Sequence, residues 1–134
     1  MAMKPSWIYK RGDLYLVDLG KRRESLQGGI RPCINIQNNP GNFFSPLLIV
    51  LPLTTKLKKT NMPTHHILKG VRGLDDVSMS EAEQPTTISK TQVIKYLGKL
   101  DKKQMHIVDE TLRIAVGLND PEDTYPIPEC VEFP

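Results

Sequence analysis

The segment Gln27-Gly28-Gly29-Ile30-Arg31-Pro32 carries the strongest chemical signal in the chain. Two adjacent glycines let the backbone turn sharply and approach a ligand closely. Arg31 then stands where a loop enters the apolar strand pattern Ile34-Asn35-Ile36. Its planar fork donates two parallel hydrogen bonds, a geometry suited to holding a phosphate. Taken alone, the segment fits a surface arginine at a hairpin equally well. Other chemistries find little support. His65 and His66 are adjacent and so point to opposite faces of a strand, and His106 stands alone, which gives no metal-ligand spacing. There is no Gly-Lys-Ser/Thr phosphate loop and no nucleophile elbow. Cys33 and Cys130 make neither a disulfide framework nor a metal set, and no cofactor is expected.

The elements that must position Arg31 are mostly short strands. Leu14, Leu16 and Asp18 alternate with Tyr15, Val17 and Leu19, which predicts a half-buried first strand. Arg31 to Asn38 forms the second strand, with Pro40-Gly41-Asn42 as punctuation after it. Leu47 to Leu53 is nearly continuous in apolar residues and reads as a central third strand. Lys56 to Asn61 is a basic loop. Thr64 to Leu68 and Val77 to Glu81 read as further strands across the turn-rich Gly70 to Asp76. Ser89 can cap a short helix over Lys90 to Ile94, and Tyr96 to Lys99 makes a last strand. The clearest helix is Lys102 to Val116. Asp101 is its N-cap with Gln104 three residues on, Met105, Val108, Leu112 and Ala115 form its apolar face, and Gly117 ends it.

With 134 residues, 39% apolar and 25% charged, the chain suits one domain with a real core. No apolar run reaches membrane-spanning length, and Met1 to Trp7 lacks the core of a signal peptide, so the expected location is cytoplasmic. The net charge of +3 hides an asymmetry. All 18 Lys and Arg lie at or before Arg113, against ten acidic residues in the same span, whereas Asp120, Glu122, Asp123, Glu129 and Glu132 leave the tail purely acidic. A basic body suits a polyanionic partner. The tail, 119–134, also holds four prolines and reads as an extended segment beyond a domain over 1–118. It could lie back over a basic face and damp activity, or simply solubilise the chain. Many short strands and one late helix predict an α+β, mainly antiparallel β architecture, barrel-like and compact.

Arg11-Gly12-Asp13, the Gly-Gly-Ile-Arg-Pro turn, Gln37-Asn38-Asn39-Pro40-Gly41-Asn42, Phe44-Ser45-Pro46, Thr54-Thr55 and Met62-Pro63-Thr64-His65 occur in one order. In that order and spacing the chain resembles the MazF/PemK (Kid) toxins of bacterial toxin–antitoxin pairs, over roughly residues 10 to 118. The resemblance implies the SH3-like MazF/PemK/CcdB-type barrel with a C-terminal helix, a homodimer, and a cognate antitoxin as partner. It also implies metal-independent cutting of single-stranded RNA at a short sequence. The 2′-hydroxyl would attack the adjacent phosphate, leaving a 2′,3′-cyclic phosphate and a 5′-hydroxyl.

In that context Arg31 and Thr54 match the family's catalytic pair. Thr54 ends the third strand beside the strand that Arg31 opens, so the two could meet at one sheet end. Arg31 would stabilise the developing charge and Thr54 would hydrogen-bond the phosphate; an arginine side chain is a poor general base, so the proton acceptor stays open. Gln27, Gly28, Thr55, His65 and Gln84 fall at positions implied to face RNA. Asn38 offers an amide that can read a base edge, although it serves equally as a turn residue. Phe43 or Phe44 could stack a base, with the other expected in the core. Lys21, Arg22 and Lys56 belong to two basic loops flanking the site, suited to steering phosphates or to ordinary solvation. Two departures affect target choice. Leu26 stands where the family commonly has a glutamate, and Thr86 where it has an arginine, after Pro85, which lacks a strand donor. These departures keep two alternatives in view: a non-cleaving binder of nucleic acid or antitoxin, and a gyrase-targeting toxin on the same fold.

Overall fold

Leu14 and Tyr15 are neighbours in sequence and both are fully buried, so the strand that carries them is covered on both faces. The computed structural model describes residues 3–21 and 26–118. In chain order these form β1 (Asp13–Asp18), β2 (Ile30–Asn35), α1 (Asn39–Phe44), β3 (Leu47–Thr54), β4 (His65–Leu68), β5 (Ser78–Glu81), β6 (Thr86–Ser89), β7 (Val93–Lys99) and α2 (Lys102–Ala115). Alternation along β1 sends Tyr15 and Val17 to one core with Cys33, Leu48, Val50 and Ile88. Leu14 goes to the other, with Ile34, Leu51, Leu53 and Val108. The first strand is therefore buried on two sides, not one as the half-buried reading expected.

The strands form one antiparallel sheet in the order β4-β5-β3-β2-β1-β7, with β6 beside β3. The long β3 organises it, as its apolar run predicts. Leu47 to Val50 pair with β6, Val50 to Pro52 with β2, and Leu53 and Thr54 with β5. The predicted class and terminal helix are present, but β7 does not pair back to β4, so the sheet is not closed into a barrel. Two register shifts between β1 and β7 bend that edge. Helix α2 starts where predicted, with Asp101 accepting from the Gln104 amide at 2.7 Å. Val108, Met105 and Leu112 cover the second core from this helix, each buried aliphatic side chain being worth about 1.5–3 kcal/mol.

Five local readings change. β2 ends at Asn35 rather than Asn38, because Asn38 caps α1 through a 2.8 Å bond from the Gly41 amide. The segment read as punctuation is that helix. Ser89 does cap a helical turn, but only Lys90–Gln92 follows. The β-branched Val93 and Ile94 then enter β7, where Val93 pairs with Val17. Pro85 precedes β6 and takes nothing from its ladder. Phe43 and Phe44 are both exposed, so neither is core. Among the described residues no helix is long and apolar enough to cross a membrane. Arg22 and the acidic 119–134 segment lie outside the described residues.

Candidate active site

Two backbone bonds close the β1–β2 loop: Leu19 donates to the Gly29 carbonyl at 2.9 Å and Gly29 to the Gly20 carbonyl at 2.7 Å. Gly29 reaches this geometry at φ +77°, which side chains other than glycine's rarely allow. The closed loop brings Gly28 back beside Arg31. The Arg31 Nε donates to the Gly28 carbonyl at 2.9 Å, and Nη1 donates to the Gln27 side-chain oxygen and, at 3.3 Å, to the Leu53 carbonyl. No described residue accepts from Nη2. The guanidinium is thus fixed by three acceptors, two from the β1–β2 loop and one from β3, and among the described residues one nitrogen is left for a ligand.

Continuing the β2–β3 register of Cys33 with Pro52 by two residues sets Arg31 across from Thr54. Both line an open cleft of about 1030 Å³. The Thr54 hydroxyl oxygen accepts from the Lys56 amide at 3.1 Å, so the threonine ties down its strand end and keeps its own proton available. Thr55 and Lys56 are exposed on the same wall, and Lys58, Lys59 and Lys95 add positive charge around it. The opposite rim is held by a close approach of chain segments: a Cβ on Gly73 would lie 2.4 Å from the Leu97 carbonyl oxygen, so only glycine lets this loop sit on β7.

A polar network floors the cleft. Gln27 donates from its side chain to Glu81 at 3.0 Å, and its amide donates to the Gln84 side-chain oxygen at 3.2 Å. His65 Nδ1 contacts the Lys59 carbonyl at 3.0 Å and its Nε2 contacts Glu83 at 2.8 Å. Burial alone would push the His65 imidazole down. The bond and charge of Glu83, the Lys59 carbonyl and the Glu81 charge outweigh it and hold the imidazole above its ordinary value. Burial likewise raises Glu83, but its own backbone amide, His65 and Thr64 bring it below the usual carboxylate range. Below the floor, burial pushes the Cys33 thiol up to about 12, only partly offset by the Arg31 charge.

The fold therefore brings together Gln27, Gly28, Arg31, Thr54, Thr55, Lys56, His65 and Gln84. Asn38 and Phe43 lie elsewhere: Asn38 caps α1, and Phe43 lines a separate hollow with Trp7, Tyr9 and Lys90. Lys21 is exposed on the β1–β2 loop and does not line the cleft. Glu81 and the Leu53 carbonyl were missed from sequence. Glu81 had a faint signal, a second acid two residues before Glu83; a carbonyl acceptor leaves none. His65 and His66 do face opposite ways, as their adjacency predicts, His66 bonding Gln104 of α2 at 2.7 Å.

A model of the PemK-like, MazF-like toxins of type II toxin–antitoxin systems matches residues 10–116. The chain belongs to the PemK/MazF toxin family. It is similar to a Bacillus subtilis protein named endoribonuclease EndoA, 41% identical over 114 residues that make up 84% of this chain and 98% of that one. A mycobacterial endoribonuclease solved in complex with its cognate antitoxin superposes with a TM-score of 0.70 at 25% identity, covering 82% of this chain and 96% of that one. MazF from Deinococcus radiodurans shares the fold, with a TM-score of 0.71 at 18% identity over 84% of this chain and 99% of that one. In this PemK/MazF member the matched span contains the whole cleft, and the acidic 119–134 segment lies beyond it.

Proposed function

We propose that this protein is a toxin endoribonuclease that cuts single-stranded RNA at a short sequence without a metal. The 2′-hydroxyl gives up its proton and attacks the neighbouring phosphorus, the bond to the 5′-oxygen breaks as that oxygen takes up a proton, and the products are a 2′,3′-cyclic phosphate and a 5′-hydroxyl. Arg31 places Nη2 against the non-bridging oxygens as negative charge grows on the phosphorane, and Thr54 donates its hydroxyl proton to the same phosphate. Because Gln27, Gly28 and Leu53 already hold the guanidinium, little reorganisation opposes this step. Lys56, Lys58 and Lys59 steer the backbone, while Gln27, Gln84 and His65 contact the strand near the scissile phosphate.

The observation that carries this reading is the three-point hold on Arg31 beside Thr54, with Nη2 unclaimed among the described residues, in a lysine-rimmed cleft. The relative named as an endoribonuclease and the antitoxin complex of a structural neighbour support the nuclease activity and an antitoxin partner. We place the protein in the cytoplasm as a homodimer, one domain over 1–118 with an acidic extension. The deciding experiment incubates a long single-stranded RNA in EDTA with wild type or Arg31→Ala and maps the cut ends. Cuts at a repeated short motif that vanish in the variant support the proposal. Intact RNA at high protein concentration leaves a binding module instead.

A further inference from the structure

His65 opens β4 with its side chain only 4% exposed. Its Nδ1 is fixed on the Lys59 carbonyl, which aims Nε2 at two carboxylates: Glu83 Oε2 at 2.8 Å and Glu81 Oε2 at 3.8 Å. One donor atom from each of the three residues lies within 4.8 Å of the others. Donors around a tetrahedral zinc with bonds of about 2.0–2.1 Å stand about 3.3 Å apart. Moving each carboxylate oxygen by about half an ångström sets both at that distance from Nε2, and a side-chain rotation that closes the two carboxylates on each other, by up to about 1.5 Å, completes the set.

This grouping differs from an exposed acidic cluster in two respects. Its centre is an imidazole nine-tenths buried and locked in the orientation a metal-ligating histidine adopts, with the far nitrogen on a carbonyl. Each carboxylate is also oriented from outside the trio. Gln27 and Gln84 donate to the two oxygens of Glu81 at 3.0 and 3.2 Å, and the Thr64 hydroxyl donates to Glu83 Oε1 at 3.1 Å. With Nε2 deprotonated the three donors carry two negative charges, matching a divalent ion. An imidazole nitrogen among carboxylates favours zinc over calcium or magnesium.

We propose that His65, Glu81 and Glu83 bind one zinc ion per protomer and that the bound ion closes the cleft to RNA. Zinc replaces the proton that lies between His65 Nε2 and Glu83. Three protein donors leave a fourth position for water or a phosphate oxygen. A phosphate captured there is held away from Arg31. Drawing Glu81 to the metal also loosens Gln27, which shares its amide between Glu81 and Arg31. The binding half of this proposal stands on geometry alone; the inhibitory half rests on the nuclease reading above.

The test titrates the full-length protein with Co²⁺, read by visible absorption, and with Zn²⁺, read by calorimetry. The expected result is one ion per protomer, with cobalt displaced by zinc and affinity at least about tenfold weaker in both His65→Gln and Glu81→Gln. Glu83→Gln, at a more exposed position, serves if either variant melts early. His66→Gln, on the opposite side of β4, should bind like wild type. No saturable binding, or binding that survives both His65→Gln and Glu81→Gln, overturns the site. In the EDTA-free cleavage assay, stoichiometric zinc should slow the wild type, and cutting unaffected by saturating zinc overturns the inhibitory role. Absence of cutting without zinc counts against the nuclease reading and leaves the binding result to stand by itself.

Discussion

The side-chain oxygen of Gln27 accepts a hydrogen bond from Nη1 of Arg31. The same amide donates to Glu81 at 3.0 Å, which fixes which end of it faces the arginine. Gln27 is thus a positioning residue: it orients the guanidinium. Gln27→Ala leaves Arg31 on the Gly28 and Leu53 carbonyls alone. Misplacing a catalytic group by an ångström can cost about 10²-fold. The expected outcome is a fall in kcat of about that size, a smaller rise in KM from the lost contact to the strand, and a Tm within a few degrees of wild type. A loss confined to KM would show that Gln27 only binds substrate.

Arg31→Lys separates charge from shape. A lysine keeps the positive charge but offers one nitrogen on a flexible stem, and it cannot hold the Gly28 and Leu53 carbonyls while reaching a phosphate. Cleavage should fall by about 10²–10³-fold, the usual cost of losing one preorganised donor. RNA affinity at low salt should change little. Near-normal turnover in single-turnover assays would mean that Arg31 contributes charge alone.

The contrast between Arg31 and α1 shows what the sequence makes legible. The Gly28-Gly29 turn and the apolar run of β3 announce themselves by residue type, and together they locate the arginine and Thr54 at one sheet end. Helix α1 has no periodicity to read: six residues, with proline and glycine among them. Side-chain amides of Asn35, Gln37, Asn38 and Asn39 hold it with Asn42, and an asparagine-rich run reads as a turn until those bonds are seen. On the cleft floor the partners are distant in sequence, and only the fold brings His65 to Glu81 and Glu83 across a hairpin. The half-buried reading of β1 failed because both of its alternating sets are apolar and each finds a core, Tyr15 and Val17 on one side and Leu14 beneath α2 on the other, with the Tyr15 hydroxyl satisfied inside by Asp13.

Asn42 tests that account of α1. It is buried and uses both ends of its amide: the oxygen accepts from Asn35 and Gln37 at 3.1 and 3.2 Å, and the nitrogen donates to the Gln37 carbonyl at 2.9 Å and to Asn39 at 3.2 Å. Asn42→Ala strands several buried partners at once. The expected cost is about 2–3 kcal/mol, a Tm drop on the order of 10 °C. Hydrogen exchange should rise first in α1 and the end of β2. A change below about 0.5 kcal/mol would mean that water replaces the amide there.

Asp13 should give the protein an inverted acid response at one site. Its carboxylate is buried and accepts from the Tyr15 hydroxyl at 2.6 Å and the Lys10 amide at 3.1 Å. Burial raises its pKa, and these bonds with the Lys10 and Lys99 charges only partly offset the rise. A folded value above the unfolded one means that the native state binds the proton more tightly. This group therefore destabilises the fold increasingly as pH rises from the unfolded carboxyl value through the raised folded value, and the penalty stays constant above it. Asp13→Asn removes that titration while keeping an oxygen for Tyr15 and Lys10. Denaturant midpoints from pH 3.5 to 7 should shift in the variant's favour relative to wild type as pH rises, whatever the offset between the two at the start. Parallel profiles would show that the Asp13 carboxyl titrates alike in both states, and that Tyr15 and the lysines cancel its burial completely.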